Sequence, residues 1–113
     1  MKKILLADQS ESISELLKAS LEIDGFQVTI ASNKKDILKK AEFEIPDLIL
    51  LCLSDKLEIC REIKKKDIKS LVIITSPFSD SKEIKESGAD GLIQTPINAL
   101  TLGKEIEGFL IRN

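Results

Sequence analysis

The residues able to do chemistry in this chain are few. Cys52 and Cys60 are its only thiols, it has no histidine, and its 19 acidic residues are intermixed with 17 basic ones. That removes most imidazole-based catalysis and a zinc site of the usual four-ligand kind. The side chains that stand out follow or end apolar runs: Asp8 and Gln9 after Ile4 to Ala7, Cys52 within Leu48 to Leu53, and Thr75 after Leu71 to Ile74. A carboxylate, an amide, a thiol and a hydroxyl suit contact with a small ion, or thiol chemistry, provided the elements carrying them converge. The run Lys64-Lys65-Lys66 is flanked by Glu62 and Asp67. It reads as a solvated helix end that suits the helix dipole.

Strands buried on both faces appear in sequence as continuous apolar runs, and Ile4 to Ala7, Leu48 to Leu53 and Leu71 to Ile74 are such runs. Val28 to Ala31 and Leu92 to Gln94 are shorter or more polar, as edge strands are. Between them the spacing turns helical. Ile13, Leu16, Leu17 and Leu21 line one face of a helix that Ser10 caps and Gly25 ends. A second helix runs over 33–43 with Ile37, Leu38 and Ala41 inward, stopping ahead of Pro46. Asp55 caps a third, with Leu57, Cys60 and Ile63 on one face. A short fourth lies near Ser79 to Ser87 with Ile84 inward, and a fifth follows Pro96 with Leu102, Ile106, Phe109 and Leu110 on its core stripe.

Five alternations of strand and helix predict one doubly wound α/β domain over 1–113. The sheet is parallel and five-stranded in the order 2-1-3-4-5, with right-handed crossovers and helices on both faces. Ligands of such sheets sit beyond the carboxyl ends of the strands at the switch point, here between strands 1 and 3. That gathers Asp8, Gln9, Cys52 and Thr75.

Composition narrows the function classes. The longest apolar run has six residues, short of the ~20 needed to span a bilayer, so neither a membrane nor an export segment is expected. A net charge of -2 with interspersed signs offers no positive surface to a phosphate backbone, and nucleic-acid binding by this domain is not expected. Free thiols fit a cytoplasmic location.

Taken in order, the first strand ending in Asp8, then Pro46-Asp47-Leu48-Ile49-Leu50-Leu51, Ile73-Ile74-Thr75, Ser87-Gly88-Ala89-Asp90-Gly91 and Pro96-Ile97 resemble the receiver domain of bacterial two-component response regulators. The resemblance covers Lys3 to about Arg112 and implies the flavodoxin-like receiver fold. It also implies a phosphorylation site at the crevice. In that family two adjacent acids after strand 1 and a phosphoacceptor aspartate after strand 3 hold Mg²⁺, a strand-4 Thr or Ser contacts the phosphoryl group, and a Lys precedes the last proline. Carried over residue by residue, the first acid is Asp8 and its neighbour is Gln9. The phosphoacceptor position falls on Cys52, the hydroxyl is Thr75, and Thr95 stands where the lysine would be. The segment from Cys52 to Leu57 is short for the family, and Leu92 occupies the position of a switch aromatic.

The resemblance therefore implies a degenerate, phosphorylation-independent pseudo-receiver, acting in signalling by protein-protein interaction. It is expected to be no enzyme, to have no catalytic residue and no cofactor, and to hold no metal beyond a residual weak contact at Asp8. Its partner is another protein, an attached output domain or a second copy of the chain, met on the face formed by helix 4, strand 5 and helix 5, where Leu92, Leu100 and Ile111 are candidates for exposure.

Other readings stay open. Cys52 as a thiol-based redox sensor is the main alternative, although a reactive thiolate needs nearby positive charge that Thr95 does not supply. Packing is the simpler role for Cys52, and more so for Cys60. Asp8 beside Ser10 also reads as a cap of the turn into helix 1. A flavin-based electron carrier shares the strand order, but the chain has no Trp and no Tyr to sandwich the ring.

Overall fold

The computed structural model describes residues 2–77 and 82–111. Five strands, β1 (Lys3–Ala7), β2 (Gln27–Ala31), β3 (Leu48–Leu51), β4 (Leu71–Ser76) and β5 (Gly91–Gln94), alternate with five helices, α1 (Glu11–Ile23), α2 (Lys34–Glu44), α3 (Lys56–Lys65), α4 (Lys82–Glu86) and α5 (Ala99–Ile111). The strands form one sheet in the order β2-β1-β3-β4-β5. All four pairings are parallel, with Leu6 opposite Leu50, Leu50 opposite Ile73 and Ile74 opposite Leu92. The sheet order and the helices flanking it are those expected from the sequence.

The period of two along a strand divides the core into layers. Ile4, Leu6, Leu48, Leu50 and Ile73 pack with Leu17 and Leu21 of α1 and Leu102 and Ile106 of α5. Leu5, Ile49, Leu51, Val72 and Ile74 pack on the other face with Ile37, Ala41, Ile59 and Ile63 of α2 and α3. A strand covered on both faces has no polar position to offer, which is why β3 is apolar throughout and all four of its residues are fully buried.

Local signals set the helix ends. Ser10 Oγ accepts from the Ile13 amide and Asn33 Oδ1 from the Asp36 amide, capping α1 and α2. Gly25 follows the α1 C-cap at φ +95, a left-handed conformation that glycine takes without steric cost. Ile45 closes α2 at φ 44. The following Pro46 disfavours continued helix at that residue, and a β-branched side chain is held in an unusual left-handed turn as a result.

Three expectations need correction. Ile13 and Leu16 do not face the core; they are 49% and 60% exposed, and the buried stripe of α1 is Ser14, Leu17 and Leu21. The polar Ser14 hides the phase of that stripe, so apolar spacing alone points to the wrong flank. Asp55 stands at the α3 N-cap but makes no side-chain cap bond. Its φ and ψ of -93 and 26 depart from the extended geometry that aims a cap side chain at the helix amides. Leu92 is half-buried and packs with Ile84 and Ala89 against the α2-α3 layer, so it is not an exposed neighbour of Leu100. Leu100 and Ile111 are exposed as expected, at 88% and 79%, but they mark opposite ends of α5, about 16 Å apart along the axis. Of the fourth helix, the described part is Lys82–Glu86, and Ser79 lies outside the described residues.

Candidate functional site

Parallel pairing puts the carboxyl ends of β1, β3 and β4 side by side, and the turns that follow them carry the candidate side chains. The ladder continues one step past the strands: the Asp8 amide donates to Ala31 O, the Cys52 amide to Ala7 O at 2.8 Å and the Thr95 amide to Ser76 O. These bonds hold Asp8, Cys52 and Thr95 at the rim, with Thr75 buried on β4 between them. Asp8, Cys52, Thr75 and Thr95 line one cleft of about 390 Å³, together with Ile13, Leu16 and Leu17 of α1 and Pro96, Ile97 and Ala99 at the start of α5. The Thr95-Pro96 peptide is cis. Gln9 is on the other side of Asp8 and does not line this cleft.

The Asp8, Gln9 and Thr75 side chains are already engaged. Asp8 Oδ1 accepts from the Ser10 amide at 2.9 Å, a local turn that leads into α1. Gln9 Oε1 accepts from the Ser54 amide at 3.4 Å, tying the loop after β1 to the loop after β3. Thr75 Oγ1 donates to Leu51 O at 3.4 Å. Cys52 is free and half-buried. Burial, reinforced by the negative charge of Asp8, pushes its thiol up to about 12 from 9.0, with a contact to Thr75 and the charge of Lys56 pulling weakly the other way. At pH 7 such a thiol is protonated. Cys60 is fully buried; it donates to Ser87 O at 3.4 Å, and burial pushes its pKa up as well. It fills core.

The magnesium ion that the resemblance calls for meets a poor donor set. A hard dication on oxygen ligands needs several of them, with carboxylates supplying the charge. The cleft offers one carboxylate and a neutral thiol, and the Gln9 amide oxygen, outside it, is engaged with Ser54. Among the described residues no three Cys, Asp, Glu or His side chains gather in a way that could hold a metal ion.

Sequence reasoning missed the apolar wall of the cleft and Lys56. Ile13 and Leu16 read as core because they share helical spacing with Leu17 and Leu21. Lys56, the first residue of α3, acts on the Cys52 thiol; it follows Cys52 by only four residues, a local signal that attention to the Thr95 position passed over.

Residues 4–107 match the family described as the response regulator receiver domain. Over 119 aligned positions the chain is 32% identical to the alkaline phosphatase synthesis transcriptional regulatory protein PhoP of Bacillus subtilis, covering 99% of this chain and 50% of that protein. It is 30% identical to the transcriptional regulatory protein AfsQ1 of Streptomyces coelicolor, covering 99% of this chain and 52% of that one. The chain thus spans about half the length of these curated relatives. Among solved structures, the fold is similar to a receiver domain protein from Methanospirillum hungatei, with TM-score 0.88 and 25% identity over 99% of this chain and 95% of that one. It is equally similar to the chemotaxis response regulator CheY4 of Vibrio cholerae, with TM-score 0.88 and 23% identity over 96% and 98% of the two chains.

Proposed function

The chain belongs to the response regulator receiver domain family, and we propose that within it this chain works without phosphorylation, as a non-enzymatic pseudo-receiver that signals by binding protein. The observation that supports this reading is the chemistry of the cleft. Phosphoryl transfer to a receiver needs a carboxylate nucleophile, a divalent ion and a compensating cation. Cys52 supplies a neutral thiol at the position the resemblance gives to the nucleophile, Gln9 an amide at a ligand position, and Thr95 a hydroxyl in place of the lysine ammonium.

A dianionic phosphoryl group in this cleft would face Asp8 with no lysine or arginine among the described lining residues. At Cys52 the charge of Asp8 outweighs that of Lys56, and low-dielectric walls such as Ile13, Leu16 and Ile97 weaken the screening that water gives. The partner is a protein or an output domain in the same polypeptide. The curated relatives are twice the length of the matched region and are named as transcriptional regulators, which favours an attached domain. A second copy of the chain is the remaining option.

The test is to titrate the protein with Mg²⁺ and beryllofluoride, a phosphoryl mimic, while following backbone amide NMR shifts. The expected result is no saturable change at Asp8, Cys52 and Thr75. Localised saturable shifts at those residues would overturn the reading. The thiol-sensor alternative gains no support from a thiol pushed up to about 12, since reactive cysteines carry depressed values.

A further inference from the structure

β2 ends the sheet, with no strand beyond it among the described residues. In a parallel pair, alternate residues of a strand turn both backbone groups to the same neighbour. The Gln27 amide donates to Lys2 O, and Ala31 O accepts from the Asp8 amide, so Gln27, Thr29 and Ala31 face β1. Val28 and Ile30 therefore turn their amides and carbonyls outward. A row of that kind is a template on which another strand can form.

Lys40 lies across this row. Its Nζ donates to Ile30 O at 2.7 Å and pairs with Asp36, one turn earlier on α2, at 3.1 Å. Beside it Glu44 Oε1 accepts from Thr29 Oγ1 at 3.0 Å. Stability is a poor account of the lysine's placement: a solvent-facing i,i+4 ion pair adds little, and fixing a long side chain costs rotamer freedom. A cation set on an edge carbonyl is, however, one of the ways in which proteins stop a sheet from being extended.

We propose that Lys40 is a latch over the β2 edge, and that the edge it closes pairs with a second copy of this chain once the latch is removed. The edge is complementary to itself. Antiparallel pairing about a two-fold axis at Thr29 sets Val28 of one copy opposite Ile30 of the other, twice over, and both residues of each pair have their backbone groups turned outward to exchange bonds. Their side chains stay where they are, packed in the α1-α5 layer. The flank of α2 beside the edge also suits its own copy. Asp36, Lys39, Lys40, Phe43 and Glu44 line a cavity of about 270 Å³ there. Two acids and two lysines present both signs, as a face that meets itself requires, and Phe43, 84% exposed, offers an apolar contact. An unrelated extended peptide would find the backbone row without the matching flank. The proposal does not depend on the chemistry of the Cys52 cleft, so the beryllofluoride result leaves it untouched.

The experiment is sedimentation velocity on the whole chain over a range of concentrations, with amide hydrogen exchange read at each, for wild type, Lys40→Ala and Lys40→Arg. Alanine is a good helix former, so the first substitution is not expected to disturb α2. Lys40→Ala should dimerise with a dissociation constant at least about tenfold below that of wild type, and exchange at Val28 and Ile30 should slow as its concentration rises. Lys40→Arg, which keeps a cationic donor, should behave as wild type. Unchanged association of Lys40→Ala, a dimer without concentration-dependent protection at Val28 and Ile30, equal protection of those amides in wild type, or association of Lys40→Arg as strong as that of Lys40→Ala would overturn the proposal.

Discussion

Within β3 and the residue that follows it, the molecule changes character in a single step. Leu48 to Leu51 are fully buried between two helical layers, whereas Cys52 sits at the rim with its thiol facing a cleft. The interior demands only apolar volume and the strand period. The rim of a working phosphorylation site would demand several charges placed within a few ångströms of one another. The first demand is met throughout the sheet, the second by Asp8 alone. Packing and chemistry are therefore separable here: on the proposed reading, a thiol and a hydroxyl at Cys52 and Thr95 leave the cleft short of charge without touching the contacts that hold the sheet together.

The contrast can be tested from its strong side first. Leu50→Ala, in the centre of β3, should cost about 2–5 kcal/mol of stability, read as a lower urea midpoint at unchanged slope. A cost under 1 kcal/mol would mean the interior is less tightly specified than its burial indicates. Asp90 comes next. Its Oδ2 accepts from Lys64 Nζ at 2.6 Å and from the Val72 amide at 2.8 Å, joining α3 and β4 to the turn before β5. Asp90→Ala strands that amide and should cost about 1–3 kcal/mol by the same assay. Asp90→Asn, which keeps an acceptor oxygen, should cost less.

The rim should respond least. Cys52→Ser is expected to change stability at pH 7 by under about 1 kcal/mol, with a difference emerging in alkali. The thiol is raised from 9.0 to about 12 in the folded protein, so its neutral form is favoured by folding. That contribution is complete below pH 9 and is lost as pH rises toward 12. Wild type should therefore lose stability faster than Cys52→Ser above pH 9 in pH-dependent denaturation curves. Parallel curves would show that the thiol is not held protonated by its surroundings.

How far the sequence was legible follows the same division. Continuous apolar runs revealed β1, β3 and β4 because only a doubly covered sheet tolerates them, and five alternations left little choice of topology. Helix phase was less legible. In α1 a buried serine interrupts the apolar stripe, so Ile13 and Leu16 read as core when they wall a cleft. Asp55 has the residue type of a cap without the backbone angles that would make it one. Asp8, Cys52, Thr75 and Thr95 were found because strand ends in a parallel sheet converge.

The most direct measurement is intact mass spectrometry after incubation with acetyl phosphate and Mg²⁺, beside a Gln9→Asp, Cys52→Asp, Thr95→Lys triple variant that restores the charges of the cleft. The account predicts no phosphoryl adduct on the wild-type chain and an adduct on the triple variant. A single acid-stable, base-labile phosphoryl group on the wild-type protein would contradict it.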